Sequence, residues 1–215
     1  MEIEREAEMD PRVLRYLENN RKWAANPEYR TPVRFKEMQK AGRELENGTI
    51  IILACTDPRC TPEEFFGMSS ERGNKATIIR TAGARAQPAL STLYVLSAVG
   101  NLGKKGTIMV VGHTDCGLQS TTDVEIRKVL LDSVREDLNT DDLCEADERL
   151  RGGRWGVQLG AFVRPDESVT EDVEMLKRSP FFKGMQILGF VQDTQTGIVE
   201  EVESWRRGVD GDVGR

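Results

Sequence analysis

The sequence lacks the features that mark several large classes of protein. Its 215 residues include one histidine and four cysteines, too few for a disulfide-stabilised secreted fold. Its apolar runs fall short of the roughly 20 residues that a membrane-spanning helix requires, and the opening residues, MEIEREAEMD, lack the basic and apolar regions of a secretory signal. A formal net charge of −6 argues against a nucleic-acid-binding surface. We therefore expect a cytoplasmic protein with neither a membrane nor a nucleic-acid partner.

The first part of the chain, residues 1–48, has the pattern of two helices. Pro11 suits the first turn of a helix, and a second helical pattern ends at Gly48. The apolar positions of the first pattern recur at helical spacing and are Val13, Leu14, Leu17 and Trp23. Such an N-terminal helical arm has too little apolar surface to fold alone. We expect it to pack on the main body or on a neighbouring subunit.

Strand and helix patterns alternate over residues 49–215, which we predict to form one α/β domain. The segment TIIILA is short and rich in Ile, as a strand buried on both faces is, and KATIIRT and GTIMVVG are predicted to be the second and third strands. QPALSTLYVLSAVGNLG, which precedes the third strand, has the pattern of a buried helix, and MQILGFVQD and GIVEEV form a last pair of strands around the turn-like TQTG. This alternation predicts a mostly parallel β-sheet flanked by helices.

The stretch between the third and fourth strands is less regular. TTDVEIRKVLLDSVREDL predicts a helix with a threonine cap, and SVTEDVEMLKRSP predicts another, capped at Ser168 or Thr170 and ended by Pro180. The charged segment between them, NTDDLCEADERLRGGRWGVQLGAF, is interpreted as a long connection, and its Cys144 as neither a ligand nor a catalyst.

Chemically reactive side chains gather just after two of the predicted strands. Cys55 and Asp57 follow the first strand, and His113 and Cys116 follow the third. Functional groups in parallel sheets collect beyond the carboxyl ends of the strands, so these side chains converge if the two strands are neighbours. Two thiolates and one imidazole form a favourable zinc set that leaves one coordination position open, as catalytic zinc sites do. Taken singly, a cysteine at a strand end is more often a small buried hydrophobe.

Asp57 and Arg59 form a D-x-R pair directly after the first candidate ligand. One interpretation is a local surface ion pair of little energetic value. The other is a carboxylate that Arg59 holds by paired hydrogen bonds beside the metal, where it stays ionised and orients a zinc-bound water. Asp57 and Arg59 are therefore the candidate catalytic residues.

These motifs together resemble those of the β-class carbonic anhydrases. CTDPR matches the family's C-x-D-x-R, HTDCG its H-x-x-C-G and RTAGAR its R-N-A-G segment, and the resemblance extends over roughly residues 49–202. It implies a zinc-containing α/β fold that assembles as a homodimer or a multiple of dimers, with the N-terminal helices gripping the partner subunit. It also implies that Cys55, His113 and Cys116 bind Zn2+, that the D-x-R pair forms the catalytic dyad, and that zinc-activated hydroxide attacks carbon dioxide to give bicarbonate.

Some positions depart from the family's pattern and leave the substrate open. Thr81 stands where the family commonly has Asn, and Ala84 and Arg85 lie where small residues or amides are common. The short CTDPRCTPEEFFG form resembles a branch of the family that includes carbonyl sulfide hydrolases. Thr81 and Arg85, together with Cys60, Phe65 and Phe66, form the predicted pocket wall that sets substrate preference. Cys60 also fits a core position.

Three alternatives accompany the prediction of carbon dioxide hydration. Carbonyl sulfide hydrolysis, which gives hydrogen sulfide and carbon dioxide, would use the same zinc site. A non-catalytic zinc protein would use Asp57 as a permanent fourth ligand, which Arg59 opposes because it competes for the same carboxylate. A thiol redox protein would use Cys55, Cys60 or Cys116, and the absence of a C-x-x-C motif argues against it.

Overall fold

The structure is a computed structural model that describes residues 9–27, 33–68, 76–100, 105–152 and 157–203. Its contacts divide the chain into two compact units, Met1–Lys40 and Ala41–Arg215. This division does not test the predicted functions of the two parts. The helical arm of residues 1–48 and the catalytic domain of residues 49–215 therefore remain predictions. No helix within the described ranges is long and apolar enough to cross a bilayer.

The predicted N-terminal helices are present. Helix α1 spans Pro11–Ala24, with the proline in its first turn and Asp10 capping it by accepting a hydrogen bond from the backbone N of Arg12 at 2.8 Å. Helix α2 spans Phe35–Glu44. Among the predicted apolar positions of α1, Val13, Leu17 and Trp23 are exposed, so the structure leaves the proposed packing surface of this helix untested.

A five-stranded sheet forms the centre of the second unit. Its order is β2-β1-β3-β4-β5, and every neighbouring pair is parallel except β4 and β5, which are antiparallel. This arrangement confirms the predicted α/β class and the mostly parallel sheet. The strands are β1 (Ile50–Cys55), β2 (Thr77–Thr81), β3 (Thr107–His113), β4 (Gln186–Gln192) and β5 (Val199–Glu201).

In the described part of this unit, five helices and several short 3-10 turns accompany the sheet. The helices are α3 (Pro62–Phe65), α4 (Leu90–Gly100), α5 (Asp123–Val134), α6 (Thr140–Leu150) and α7 (Pro165–Arg178). The predicted threonine cap of α5 is Thr122, which exchanges hydrogen bonds with Glu125 in a capping box. Helix α7 begins earlier than predicted because Pro165 occupies its first turn, which places Ser168 inside the helix rather than at its cap.

Helix α6 corrects the prediction of a long connection after α5. Asn139 caps it by accepting a hydrogen bond from the backbone N of Asp142 at 2.9 Å. Arg127 of α5 lies 3.3 Å from Asp147 of α6 and ties the two helices together. Asn139 supplies the cap, and the charged residues that favoured a connection form ion pairs along a mostly exposed helix.

The core lies on both faces of the sheet, and alternation along β1 assigns its residues to them. Ile51 and Leu53 belong to one apolar cluster, which α4 and α7 cover, whereas Ile52 and Ala54 belong to a second. The second cluster also contains Cys55 and Cys116. The candidate ligands therefore lie at the margin of a hydrophobic layer, at the carboxyl end of the sheet.

Candidate metal centre

Neighbouring strands bring the three predicted ligands together. β1 and β3 pair in parallel with Ala54 opposite Val111, so Cys55 and His113 both end at the same edge of the sheet. The ligand atoms of Cys55, His113 and Cys116 all lie within 4.8 Å of one another, and all three residues are buried. The condition set by the sequence, that the first and third predicted strands be neighbours, is met.

The imidazole of His113 is oriented with one nitrogen available. His113 is the chain's single histidine and is 1% exposed. Its Nδ1 lies 2.9 Å from the carbonyl oxygen of Thr114, which can only accept, so Nδ1 carries the proton and Nε2 the lone pair. Nε2 is buried and has no hydrogen-bond partner among the described residues. A buried unpaired nitrogen is unfavourable by about 1–3 kcal/mol unless something ligates it.

The two thiols adopt the spacing of a shared ligand set. Cys55 Sγ and Cys116 Sγ are 4.0 Å apart, close to the roughly 3.8 Å that separates two sulfurs bound tetrahedrally at about 2.3 Å from one zinc. A hydrogen bond from Cys116 lowers the pKa of Cys55 to about 3, against the opposing effect of burial. The same hydrogen bond, together with burial, raises the pKa of Cys116. The pair thus shares a proton between its sulfurs, and a divalent cation bound to both would displace protons because it binds the thiolate form.

Backbone and amide groups hold the two sulfurs in place. The backbone N of Asp57 donates to Cys55 Sγ at 3.4 Å. The side-chain oxygen of Gln119 accepts from the backbone N of Cys116 at 3.0 Å, and its Nε2 donates to the carbonyl oxygen of Val163 at 3.2 Å. The donor set, its spacing and the unpaired Nε2 fit a zinc ion.

Asp57 is bound by Arg59 through two parallel hydrogen bonds. Arg59 Nε donates to Asp57 Oδ1 at 3.0 Å, and Arg59 Nη2 donates to Asp57 Oδ2 at 2.7 Å. These hydrogen bonds lower the pKa of Asp57 to about 2. The carboxylate is therefore ionised, and both of its oxygens are engaged by the guanidinium. Among the described residues, the group close enough to share a metal comprises Cys55, His113 and Cys116, without Asp57.

Arg59 also contacts Asp115, which lies in the loop between the ligands His113 and Cys116. This contact was not predicted from the sequence. Arg59 Nη1 donates to Asp115 Oδ2 at 2.7 Å, and its Nη2 donates to the carbonyl oxygen of Asp115 at 2.9 Å. Asp115 has a φ of +54°, a left-handed conformation that aspartate tolerates better than most residues. The feature of the sequence that could have indicated this contact is the position of Asp115 between His113 and Cys116.

Arg80, at the start of the RTAGAR segment, is a second arginine whose role the sequence did not reveal. Its Nε donates to the carbonyl oxygen of Cys55 at 2.9 Å, and its Nη2 donates to that of Asp57 at 2.7 Å and to that of Cys60. One guanidinium thus binds three carbonyl groups of the loop that carries the first ligand and the dyad.

The residues of the predicted pocket wall have different surroundings in the structure. Cys60 is fully buried, and burial raises its pKa, as in a core residue. Phe65 and Phe66 pack edge to face with ring centroids 4.7 Å apart, against the cluster that contains Cys55 and Cys116.

Arg85 corrects the wall prediction. The residue is 6% exposed, and its guanidinium packs against α7, where Nη1 donates to Ser168 Oγ at 3.0 Å and Nε lies 3.0 Å from Asp172 Oδ2. Thr81 Oγ1 donates to the carbonyl oxygen of Arg85 at 2.8 Å, which fixes the turn between them. The charge of Arg85 is neutralised inside the domain and is not available to line a pocket.

Comparison with known proteins adds to this geometry. A sequence model described as carbonic anhydrase matches residues 50–199. A carbon disulfide hydrolase from Acidithiobacillus thiooxidans is 26% identical over 160 residues, which cover 70% of this chain and 75% of that protein.

Two solved structures show the same fold. A β-carbonic anhydrase from Trichomonas vaginalis superposes with a TM-score of 0.62 at 21% identity, over 90% of this chain and 98% of that one. A carbonic anhydrase from Streptococcus mutans superposes with a TM-score of 0.53 at 25% identity, over 80% of this chain and 99% of that one.

Proposed function

The chain belongs to the β-carbonic anhydrase family, and from this premise we propose that it is a zinc enzyme that hydrates carbon dioxide to bicarbonate. One observation carries the proposal. Three buried ligand atoms within 4.8 Å of one another lie beside a carboxylate that an arginine holds outside their group.

Cys55, His113 and Cys116 would hold the metal. Zinc bound there would lower the pKa of a water molecule from 15.7 to about 7 and so supply a nucleophile near neutral pH. Three protein ligands leave one position for that water, as in other catalytic zinc sites. In a purely structural site, Asp57 would serve as the fourth zinc ligand. Its two hydrogen bonds from Arg59 oppose that role because they hold the carboxylate away from the ligand group.

Asp57 has the properties of an orienting acceptor. Its pKa is lowered to about 2 by Arg59, so it remains a carboxylate throughout the physiological pH range. Oδ1 already accepts from both the backbone N and Nε of Arg59, at 2.8 and 3.0 Å. The other carboxylate oxygen, Oδ2, accepts only from Nη2 and so retains a lone pair. It can accept a hydrogen bond from the attacking water and direct the oxygen lone pair at the carbon of the substrate.

The surroundings suit a small and weakly polar molecule. Cys60 and Ala84 are buried in the same apolar cluster as the two cysteine ligands, and Phe65 and Phe66 pack against it. Carbon dioxide has no net dipole, so an apolar wall admits it without loss of hydrogen bonds, whereas charged bicarbonate leaves readily for water.

A second candidate function is hydrolysis of a carbon–sulfur substrate. It is favoured by the relative described as a carbon disulfide hydrolase and by the short CTDPRC form of the dyad loop. Water attack on carbonyl sulfide gives carbon dioxide and hydrogen sulfide, and carbon disulfide requires two such attacks. The same ligands and the same acceptor would serve, because each reaction begins with attack of a water oxygen on the central carbon of a linear molecule. The sulfur compounds then lose hydrogen sulfide as a carbon–sulfur bond breaks, whereas carbon dioxide adds water and loses only a proton.

The experiment is a side-by-side assay of zinc-loaded wild-type protein. Carbon dioxide hydration is followed by stopped flow with a pH indicator, and hydrogen sulfide release is followed with carbonyl sulfide and with carbon disulfide. We expect the largest kcat/KM with carbon dioxide. A larger value with either sulfur compound would make hydrolysis the function, and zinc-loaded protein that turns over none of the three would be a non-catalytic zinc protein.

We also propose that the chain assembles as a homodimer or a multiple of dimers in the cytoplasm. The exposed apolar side chains Val13, Leu17 and Trp23 of α1 offer a surface for a partner subunit. Two thiols must stay reduced to hold a metal, which suits a reducing compartment. Light scattering of full-length protein and of a chain lacking residues 1–45 tests the arm, since a well-folded dimer after deletion would exclude its role.

A further inference from the structure

We infer that Thr194, in the turn between β4 and β5, is a positioning residue for His113. The inference rests on the metal-binding part of the proposed function and adds to it a residue outside the ligand and dyad motifs. Thr194 acts through Thr114, the residue whose carbonyl group receives the imidazole proton.

The hydrogen bonds between Thr194 and Thr114 form a closed set. The backbone N of Thr194 donates to Thr114 Oγ1 at 3.0 Å, and the two hydroxyl oxygens are 3.1 Å apart. Thr194 Oγ1 donates to the carbonyl oxygen of Thr114 at 3.3 Å. Because the hydroxyl proton of Thr194 goes to that carbonyl, the proton between the two hydroxyls must come from Thr114. Every donor in the pair then has one acceptor.

The carbonyl oxygen of Thr114 is the point where this set meets the metal centre. It accepts from Thr194 Oγ1 and also lies 2.9 Å from His113 Nδ1. A ring nitrogen that donates to a fixed acceptor keeps its tautomer, and Nε2 then presents its lone pair to the two sulfurs. Thr194 therefore holds the carbonyl oxygen of Thr114 in place, and that oxygen in turn orients the imidazole of His113.

The peptide that follows Thr114 needs such an anchor. It leads into Asp115, whose φ of +54° is unfavourable for a residue with a side chain. Arg59 holds the far side of this turn through the carbonyl oxygen of Asp115 at 2.9 Å. On the near side, the backbone N of Thr114 donates to the carbonyl oxygen of Gln192 at 2.9 Å. The carbonyl oxygen of Thr114 itself accepts from Thr194 Oγ1.

The turn that carries Thr194 is itself well defined. Asp193 Oδ1 accepts from the backbone N of Gln195 at 2.7 Å, and the carbonyl oxygen of Asp193 accepts from the backbone N of Gly197 at 2.8 Å. Thr196 in the same turn uses its hydroxyl to accept from the backbone N of Ile198 at 3.3 Å. The two threonines thus share a turn and differ in what their hydroxyls bind.

The test compares zinc binding by full-length wild type, Thr194→Val, Thr194→Ser and Thr196→Val. Zinc affinity is measured by competition with a fluorescent chelator, and the tautomer is read from the ring nitrogen signals of the chain's single histidine by NMR. Loss of a group behind a histidine ligand typically weakens metal binding 10- to 100-fold. We expect Thr194→Val to bind zinc about tenfold more weakly and to broaden the Nδ1 proton signal. Thr194→Ser and Thr196→Val should match wild type.

Each result bears on a distinct claim. Wild-type zinc affinity and an unchanged Nδ1 proton in Thr194→Val would overturn the inference, as would an equal loss in Thr196→Val or in Thr194→Ser. Thr194→Ala removes the same hydroxyl with a smaller side chain, and its loss must equal that of Thr194→Val if the inference is right. Wild-type protein that binds no zinc would instead refute the proposed function.

Discussion

Arg59 and Asp57 face each other through two parallel hydrogen bonds of 3.0 and 2.7 Å, the geometry in which a guanidinium holds a carboxylate most firmly. The same three residues, Asp-Pro-Arg, occur again at Asp10–Arg12, with hydrogen bonds of 3.1 Å from Nε and 2.6 Å from Nη2. The second copy is more exposed, its arginine side chain at 81% against 50% for Arg59. The motif alone is therefore a local ion pair, and its position beside the ligands gives it a proposed role.

Removing either member of the dyad should lower activity and leave the metal in place. Arg59→Ala frees Asp57 to move, and Asp57→Asn weakens the acceptor that orients the attacking water. We expect kcat/KM for carbon dioxide to fall about 100-fold in each, the loss typical of a misplaced reacting group. Metal analysis of the same samples should show wild-type zinc content.

Arg12→Ala is the matched control for the dyad, because it breaks the same motif at the other site. It should retain wild-type activity. Wild-type turnover in both Arg59→Ala and Asp57→Asn would mean that the pair beside the ligands is also only a surface ion pair.

Arg80→Ala should loosen the loop between β1 and α3. The change removes the donors to the carbonyl oxygens of Cys55 and Asp57, at 2.9 and 2.7 Å, and leaves these groups without their charged partner. We expect the free energy of unfolding in urea to fall by about 1–2 kcal/mol, together with weaker zinc binding. Arg135→Ala removes an exposed arginine paired to Asp132 at 2.9 Å and should change stability by less than about 0.5 kcal/mol. Equal effects of the two changes would show that Arg80 does not stabilise this loop.

Gly83→Ala should destabilise the domain through both backbone and packing. Gly83 has a φ of +63°, and a Cβ there would lie 2.8 Å from Leu118 Cδ1 and 2.9 Å from Phe162 Cε1. We expect a loss of about 1–3 kcal/mol in the free energy of unfolding, measured by chemical denaturation.

Gly117→Ala is the control for that change. A Cβ at Gly117 would meet none of the described atoms within 4 Å, and its backbone lies outside the left-handed region. Its effect on stability should stay within about 0.5 kcal/mol. Equal stability of Gly83→Ala and Gly117→Ala would show that the segment after β2 can shift at no cost.

The sequence predicted the sheet and the convergence of the ligands because both depend on local patterns. Strands buried on both faces read as continuous apolar runs, and parallel strands necessarily end at the same edge of a sheet. Placing Cys55 and His113 at the ends of β1 and β3 was therefore enough to bring them together once the strands proved to be neighbours.

The contacts behind the ligands could not be predicted, since they join residues far apart in the chain. Arg80 and Thr194 lie on separate elements from the carbonyl groups that they bind, and no local pattern marks a donor to a distant carbonyl. Arg85 was misplaced because a charged residue is rarely buried, and its neutralising partner, Asp172, lies on a helix that follows much later. Helix α6 was missed because its charged composition hid its cap and its packing on α5.

The central claim is that one zinc ion is held by Cys55, His113 and Cys116, and metal analysis of purified protein tests it most directly. The chain's single histidine makes His113→Ala the decisive variant, because no other imidazole can replace the ligand. We predict one zinc per chain in wild type and loss of most of that zinc in His113→Ala. Full zinc occupancy in His113→Ala would contradict the assignment.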